Sequence, residues 1–250
     1  MQAYLALTRR ELGGYLGSIT GYVLIATVLL LLGLSFTDML AKLNAEPTDA
    51  PITEQFFVTV YYWLILLLTT PIMTMRTFAQ EKFSGTYETL MTAPVKDAQV
   101  VLAKFTGAFL FYAITWLPLL AYLLLVRRYS SDPAVLNPAG LLTTLLGILL
   151  VGSLYISLGC FASALSRNQI VAAMISYALG LGLFLLSMRA LMAAPGKGWS
   201  AQFFQYISMT EHLEEFAGGV IDTRHLVFYL SLTGFFLFLT LRAVESRRWR

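Results

Sequence analysis

The residues able to do chemistry are few, and they fall in two places. His212 and His225 are the two histidines of the chain, and Glu211, Glu214 and Glu215 lie close to them in sequence. Imidazole together with carboxylate can hold a divalent cation, yet this spacing matches no metal motif. The expectation is ordinary solvated side chains and no metal site. Gly196-Lys197-Gly198 imitates part of a phosphate-binding loop, but the hydroxyl residue that would meet magnesium is missing after the lysine. H-E-x-x-H and G-x-S-x-G are absent, and with them two common hydrolytic routes. A single cysteine, Cys160, leaves no internal disulfide and no thiolate metal cluster. The second place runs from Arg76 to Lys104, where four basic residues meet Glu81, Glu88 and Asp97. No catalytic residue, no cofactor and no enzymatic activity are expected.

What positions these groups follows from composition. The 250 residues are 58% hydrophobic, 14% aromatic and 12% charged. Soluble domains carry about 25% charged residues, and disordered chains are charge-rich and poor in aromatics. A polytopic membrane protein remains. The net charge of +3 is small for a nucleic-acid binder, so no nucleic-acid partner is expected.

A membrane span needs about 17–25 largely apolar residues. Six stretches qualify: 19–36, 56–75, 105–126, 140–165, 170–188 and 226–241, the last borrowing residues up to Val244. None shows the alternation of an outer-membrane barrel strand, so each reads as a helix that satisfies its own backbone in lipid. The predicted fold is all-α, one transmembrane domain over 1–250 with six transmembrane helices. Arg9 and Arg10 before the first run imitate a signal peptide, but no small-x-small cleavage site follows before Asp38; the run reads as a retained helix. As drawn, the spans contain no Asp, Glu, Lys, Arg or His. That weighs against a proton-coupled carrier and an intramembrane hydrolase, although a sodium site made of backbone carbonyls would escape the test. The driving energy is expected to enter from outside the spans.

Lys and Arg gather on the cytoplasmic side of membrane proteins. Segments 1–18, 76–104, 166–169 and 242–250 hold eleven of the 17, and segments 37–55, 127–139 and 189–225 hold six. The first set reads as cytoplasmic, which places both termini inside a multi-pass protein of the cell (inner) membrane. The Arg127-Arg128 pair opposes this orientation.

Three non-spanning segments carry information. In 3–18, Leu5, Leu12, Leu16 and Ile19 fall at helical spacings while Arg9, Arg10 and Glu11 supply a polar side, the pattern of a helix lying among lipid headgroups. The alternative is a polar extension of the first span. Segment 76–104 reads as helix, break near Pro94, helix, with Ser84 and Thr86 as candidate caps and Asp97 starting the second helix. The outer loop 189–225 is too long for a simple connection. Its aromatic run Phe203–Ser208, then Glu211, Glu214, Glu215 and Gly218-Gly219, fit short helices re-entering the outer leaflet or a small capping domain.

Small residues predict close helix packing: Ala172, Ser176 and Gly180 on the fifth span, and Gly147, Gly152, Ser153, Ser157, Gly159 and Ala162 on the fourth. They suit packing within one bundle or a dimer contact. Pro71 and Pro118 fall inside spans two and three, where each would kink a helix. Tyr61, Tyr62, Trp63, Tyr112, Trp116, Tyr155 and Tyr177 are aromatics that could line a pathway, anchor at the interface or pack. The substrate is not readable from them.

One segment is more specific. Arg76-Thr77-Phe78-Ala79-Gln80-Glu81-Lys82-Phe83-Ser84-Gly85-Thr86-Tyr87-Glu88-Thr89-Leu90-Met91-Thr92-Ala93-Pro94-Val95 resembles the loop of ABC-2 type transporter permeases, in which R-x-F-x-x-E leads into a G-T-x-E-x-L helix ending at proline. Lys104 then opens the third span as in that family. Ser166–Ala172, Gly219–Arg224, and the N-terminal Arg10-Glu11-Leu12 and Gly21-Tyr22-Val23 are similar to its gliding-motility-associated branch. The family often has two acidic residues before the glycine-threonine pair, where this chain has Gln80 and Glu81.

The resemblance implies a permease that pairs with a second copy or a related subunit and docks separate ATP-hydrolysing subunits. It implies that Gly85–Ala93 is the coupling helix, with Arg76, Glu81, Gly85, Thr86, Glu88, Leu90 and Pro94 as the ATPase-coupling residues. Glu81 and Glu88, seven apart, would share a helical face suited to basic groups on the partner, or would pair with Lys82 and other local bases. The N-terminal helix would flank the ATPase at the lipid surface, and an extracytoplasmic auxiliary subunit would supply the large outer domain the short first outer loops lack. The leading expectation is an ATP-driven transporter subunit working as an exporter. The alternative is a non-transporting membrane component of an ATPase-driven envelope or gliding machinery, and a secondary transporter stands third.

Overall fold

The computed structural model describes residues 2–45, 57, 59–86, 95–129, 138–192 and 199–246. Among them the chain is helical throughout, with no strand. The helices are α1 (Gln2–Leu16), α2 (Ile19–Ala45), α3 (Val60–Thr74), α4 (Ala79–Ser84), α5 (Asp97–Thr115), α6 (Leu117–Tyr129), α7 (Pro138–Leu165), α8 (Gln169–Met192), α9 (Trp199–Ile207), α10 (Met209–Ala217) and α11 (Thr223–Glu245). The chain is an all-α polytopic membrane protein.

Five stretches are long and apolar enough to cross a membrane by length and composition: Ile19–Lys42, Asp97–Val126, Ala139–Leu165, Gln169–Arg189 and Thr223–Glu245. The second predicted span, 56–75, differs. Its helix α3 has 15 residues, a rise of about 22 Å at 1.5 Å per residue, against a hydrocarbon core of about 30 Å. Residues 46–56 before it lie outside the described residues. α3 is nevertheless enclosed by the bundle, with Tyr62, Ile65, Leu66 and Met73 all fully buried.

The third predicted span, from Phe105, continues the helix expected to start at Asp97. Asp97 opens α5, so the apolar helix runs from Asp97 to Val126 and carries Lys104 inside it. Pro118 acts as predicted: the helix breaks at Trp116, between α5 and α6, because proline has no N–H for the ladder. Pro71 lies within α3, whose helix stops three residues later. Pro138 stands first in α7, where its missing N–H is harmless and its fixed φ suits the helix.

α7 is the axis of the bundle, touching α3, α5, α8, α10 and α11. Its small residues each seat a different neighbour. A Cβ on Gly152 would stand 2.1 Å from the Tyr112 ring of α5, and one on Gly159 would stand 2.1 Å from Thr74 Oγ1 of α3. Gly147 faces Phe216 and Leu213 of α10, and Ser153 shares a 3.1 Å hydrogen bond with Thr233 of α11. The α8 stripe is also spent inside the bundle: Ala172 and Ser176 are buried, and Gly180 receives the Tyr155 ring of α7. Of the predicted aromatics, Tyr62, Tyr112, Trp116 and Tyr155 are core residues, whereas Tyr177 points outward.

The loop 189–225 forms α9 and α10, folded back on the bundle. α10 lays Met209, Leu213 and Phe216 against the core. Ser187 Oγ of α8 accepts from the Met209 N–H at 2.7 Å, and Thr143 Oγ1 of α7 donates to the Phe216 carbonyl. The spans thus satisfy one orphan group at each end of α10. α9 keeps Phe203 and Tyr206 exposed.

The Gly159 contact yields a test. Gly159→Val should lower stability by about 1–3 kcal/mol, the usual cost of overpacking, because the backbones of α3 and α7 cannot separate without opening the core. Gly182→Ala, with nothing within 4 Å of its added Cβ, should leave stability unchanged or slightly raised. Thermal unfolding of the two variants in detergent checks the contrast.

Candidate functional site

The polar stretch after α3 is built onto the bundle by hydrogen bonds from α7. α3 ends with orphan carbonyls and α4 begins with orphan amides. Ser163 of α7 serves both: its Oγ accepts from the N–H groups of Phe78 and Ala79, each at 3.1 Å, and donates to the Met75 carbonyl at 3.2 Å. Lys82 returns the favour, its Nζ donating to the Ala164 carbonyl at the C-terminal end of α7. Gly85 then ends α4 with φ of 74°, a left-handed turn that favours glycine.

This anchoring turns Glu81 toward the protein. Lys104, 3% exposed, sits two turns into α5 and holds Glu81 Oε1 at 2.8 Å and Glu11 Oε1 at 3.0 Å. Arg10 Nη2 reaches the same two oxygens, at 3.1 and 2.9 Å. Two cations and two carboxylates from α1, α4 and α5 thus form one neutral cluster, and Lys104 Nζ also lies 5.5 Å from the Phe78 ring centroid. Its hydrogen bond to Glu11, ahead of the attraction to Glu81, raises Arg10 above the usual guanidinium range.

α1 lies along α5 to make this possible. Gly107 of α5 admits the close approach: a Cβ there would stand 2.7 Å from Glu11 Cβ. Tyr4 OH meets Thr106 Oγ1 at 2.8 Å, and Tyr15 OH donates to the Met73 carbonyl at 2.9 Å. The inward face of α1 is therefore Tyr4, Thr8, Glu11 and Tyr15. Leu5, Leu16 and Ile19, predicted as one apolar face with Leu12, point away from the core, and Leu12 alone of the four packs on it. Glu11, predicted on the polar side, faces Lys104 because a buried ammonium requires a counter-charge.

A cavity of about 400 Å³ opens beside the cluster, lined by Arg10, Glu11, Arg76, Glu81, Thr86 and Lys104 among others. Arg76 donates through Nη1 to Thr20 Oγ1 at 2.9 Å. Of the predicted coupling residues, the structure brings Arg76, Glu81 and Thr86 to this cavity, with Gly85 between the last two. Glu88, Leu90 and Pro94 lie outside the described residues. Sequence reasoning missed Arg10, Glu11, Lys104 and Ser163 as partners of the segment. The available signal was a lone lysine inside an apolar helix, which demands carboxylates elsewhere in the chain.

The family comparison fits these elements. A family profile described as ABC-2 family transporter protein matches residues 37–210. The chain belongs to the ABC-2 transporter family. A search of curated proteins finds no match. The matched region runs from within α2 to the start of α10, and so contains α3, the Ser163-anchored α4 and the buried Lys104. The protein is thus a permease component of an ABC transporter, a membrane part rather than a catalytic one, and the family works with an ABC ATPase.

The histidines of this permease lie at the other end of α7. From Thr143, which meets α10, to Ser163, which meets α4, the helix rises about 30 Å. They are not solvated side chains, as expected from sequence. His212 is 2% exposed, its ring 3.8 Å from that of His225 centroid to centroid. Its Nδ1 pairs with Tyr229 OH at 3.2 Å, and His225 Nε2 meets Glu215 Oε2 at 2.8 Å. Burial first, and then the neighbouring His225, push His212 down to about 4, so the ring is neutral at physiological pH. Burial and then the charge of Glu215 push Glu211 up.

The ion cluster makes a sharp stability prediction. Lys104→Met leaves Glu11 and Glu81 sharing the half-exposed Arg10 and should cost about 3–5 kcal/mol, as when one partner of a buried pair is removed. The triple variant with Glu11→Gln and Glu81→Gln removes the stranded charge and should recover more than half of that loss. Equal unfolding temperatures for the single and triple variants would refute the pairing.

Proposed function

We propose that the chain is the membrane permease of an ATP-driven exporter, in which a separate ATPase subunit works on the permease through segment 76–104. The observation that carries this reading is the attachment of α4. Glu81 ties it to α1 and α5, and Ser163 and Lys82 tie it to α7. A displacement imposed on α4 therefore reaches three other helices without an intervening flexible joint. Phe83, 80% exposed and two residues before the Gly85 turn, adds an apolar contact of the kind a protein partner covers.

In this reading Arg76, Glu81, Gly85, Thr86, Glu88, Leu90 and Pro94 form the coupling segment. Arg76 and Glu81 transmit within the permease, and Phe83 with the residues after Gly85 meets the ATPase. Two permease copies, or this chain and a related subunit, flank a pathway that alternates with ATP turnover. The charged junction lies on the cytoplasmic side of the inner membrane, both termini with it, and the outward leucines of α1 rest in lipid. α9 and α10 then face the outside, where an extracytoplasmic auxiliary subunit would bind. The similarity of Ser166–Ala172 and Gly219–Arg224 to the gliding-motility-associated branch supports that last assignment.

Co-expression with the candidate ATPase tests the coupling. Phe83→Asp should abolish co-purification of the ATPase and the ATP turnover of the complex, while the isolated permease keeps its unfolding temperature. Replacing Gly85–Glu88 by alanines should do the same. If association and turnover survive both changes, segment 76–104 is not the coupling element.

A further inference from the structure

Two short helical patterns meet at the end of the bundle remote from the charged junction. His212-x-x-Glu215 occupies α10, and Asp222-x-x-His225 occupies the first turn of α11 and its cap. Residues three apart share a helix face, so each pattern presents one carboxylate and one imidazole together. A tight corner folds the two patterns against each other. Gly219, at φ of 87°, closes it: the Val220 N–H bonds the Glu215 carbonyl at 3.0 Å, and the Gly219 N–H bonds that of Phe216 at 3.1 Å, a glycine C-cap of the Schellman type.

The resulting cluster has the donor set of a metal site. One ligand atom each from Glu215, Asp222 and His225 lies within 4.8 Å of the other two. An independent observation points to something missing. His212 Nε2 and His225 Nδ1 are buried with no hydrogen-bond partner among the described residues, and His212 is 2% exposed. An unsatisfied buried polar atom costs about 1–3 kcal/mol, and here two stand in touching imidazole rings beside two carboxylates. The Tyr229 hydroxyl on His212 Nδ1 fixes that ring, as outer-shell groups do around metals.

We propose that Glu215, Asp222 and His225 bind one divalent cation of the zinc class, with a water in the open fourth position that hydrogen-bonds His212 Nε2. An imidazole among the ligands favours such a borderline ion over magnesium or calcium, which prefer all-oxygen cages. Three protein ligands and a water is a common coordination for zinc. The ion would pin α11 to α10, and through α10 to the Thr143 end of α7. The site is independent of the coupling assignment at the opposite end.

Tag-free full-length chain, stripped with chelator and held in detergent, is titrated with Zn²⁺ by calorimetry and with Co²⁺ by visible absorption. One ion per chain is expected, undisturbed by excess Ca²⁺ or Mg²⁺. Glu215→Gln and His225→Gln should each weaken binding by at least about tenfold, the lower end of what even an outer-shell change costs a metal site, and alter the Co²⁺ spectrum. Asp222→Asn should weaken it while keeping the oxygen that caps α11 through the Arg224 N–H. His212→Gln should weaken it less and preserve the Co²⁺ coordination. Glu215 is half exposed, so Glu215→Gln reports even if His225→Gln fails to fold. Absence of saturable binding, or binding that Glu215→Gln leaves unchanged, overturns the site.

Discussion

An ammonium group enclosed in an apolar bundle must either lose its proton or be met by carboxylates, and Lys104 is met by two. The rest of one end of this protein is arranged around that requirement. Glu11 can reach it only if α1 lies along α5, which needs the gap left by Gly107. Glu81 can reach it only if α4 turns back under the spans, which needs Ser163 to satisfy the ends of α3 and α4. Arg10 then balances the second carboxylate. A buried pair of this kind is weak evidence for stability but a strong constraint on arrangement, because each wrong placement strands a charge. The segment that the ABC-2 resemblance marks for coupling is therefore held by charge pairing and hydrogen bonds together with the buried Phe78.

Without a hydrophobic drive between helices in lipid, the bundle itself depends on close packing. α7 supplies it by spreading small residues around its circumference, so that Gly147, Gly152 and Gly159 each admit a different neighbour. The same helix meets both polar ends of the bundle, touching Phe78 and Ala79 at Ser163 and α10 at Thr143. A shift of α7 relative to α3 would change both. That gives the fold a physical line between its charged junction and its histidine cluster, although each is built from different chemistry.

The sequence already contained most of the architecture. Long apolar runs with few charges have one stable form in lipid, so α2, α7, α8 and α11 were legible as spans, and Pro118 marked the break before α6. The motif from Arg76 to Pro94 was legible as a resemblance, and the match over residues 37–210 places the chain in the ABC-2 family. Less was readable where residues act at a distance. The helix expected from Asp97 and the span expected from Phe105 are one continuous apolar helix, since a charged first turn is compatible with a helix that emerges from the membrane. The bundle-facing side of α1 was not readable, because Glu11, counted with the polar side, is turned inward by Lys104 on a distant helix.

What the sequence alone determined was the environment: all-helical, membrane-embedded, with charge confined to the ends and one family-specific polar segment. Those properties follow from local composition, which a chain carries in its primary structure. Only the tertiary structure decided which charges meet. Glu11 and Lys104 are 93 residues apart, and His212 and His225 come into ring contact across a corner whose geometry depends on Gly219. Pairings at such separations are set by how helices pack, and packing is a property of the whole bundle rather than of any segment.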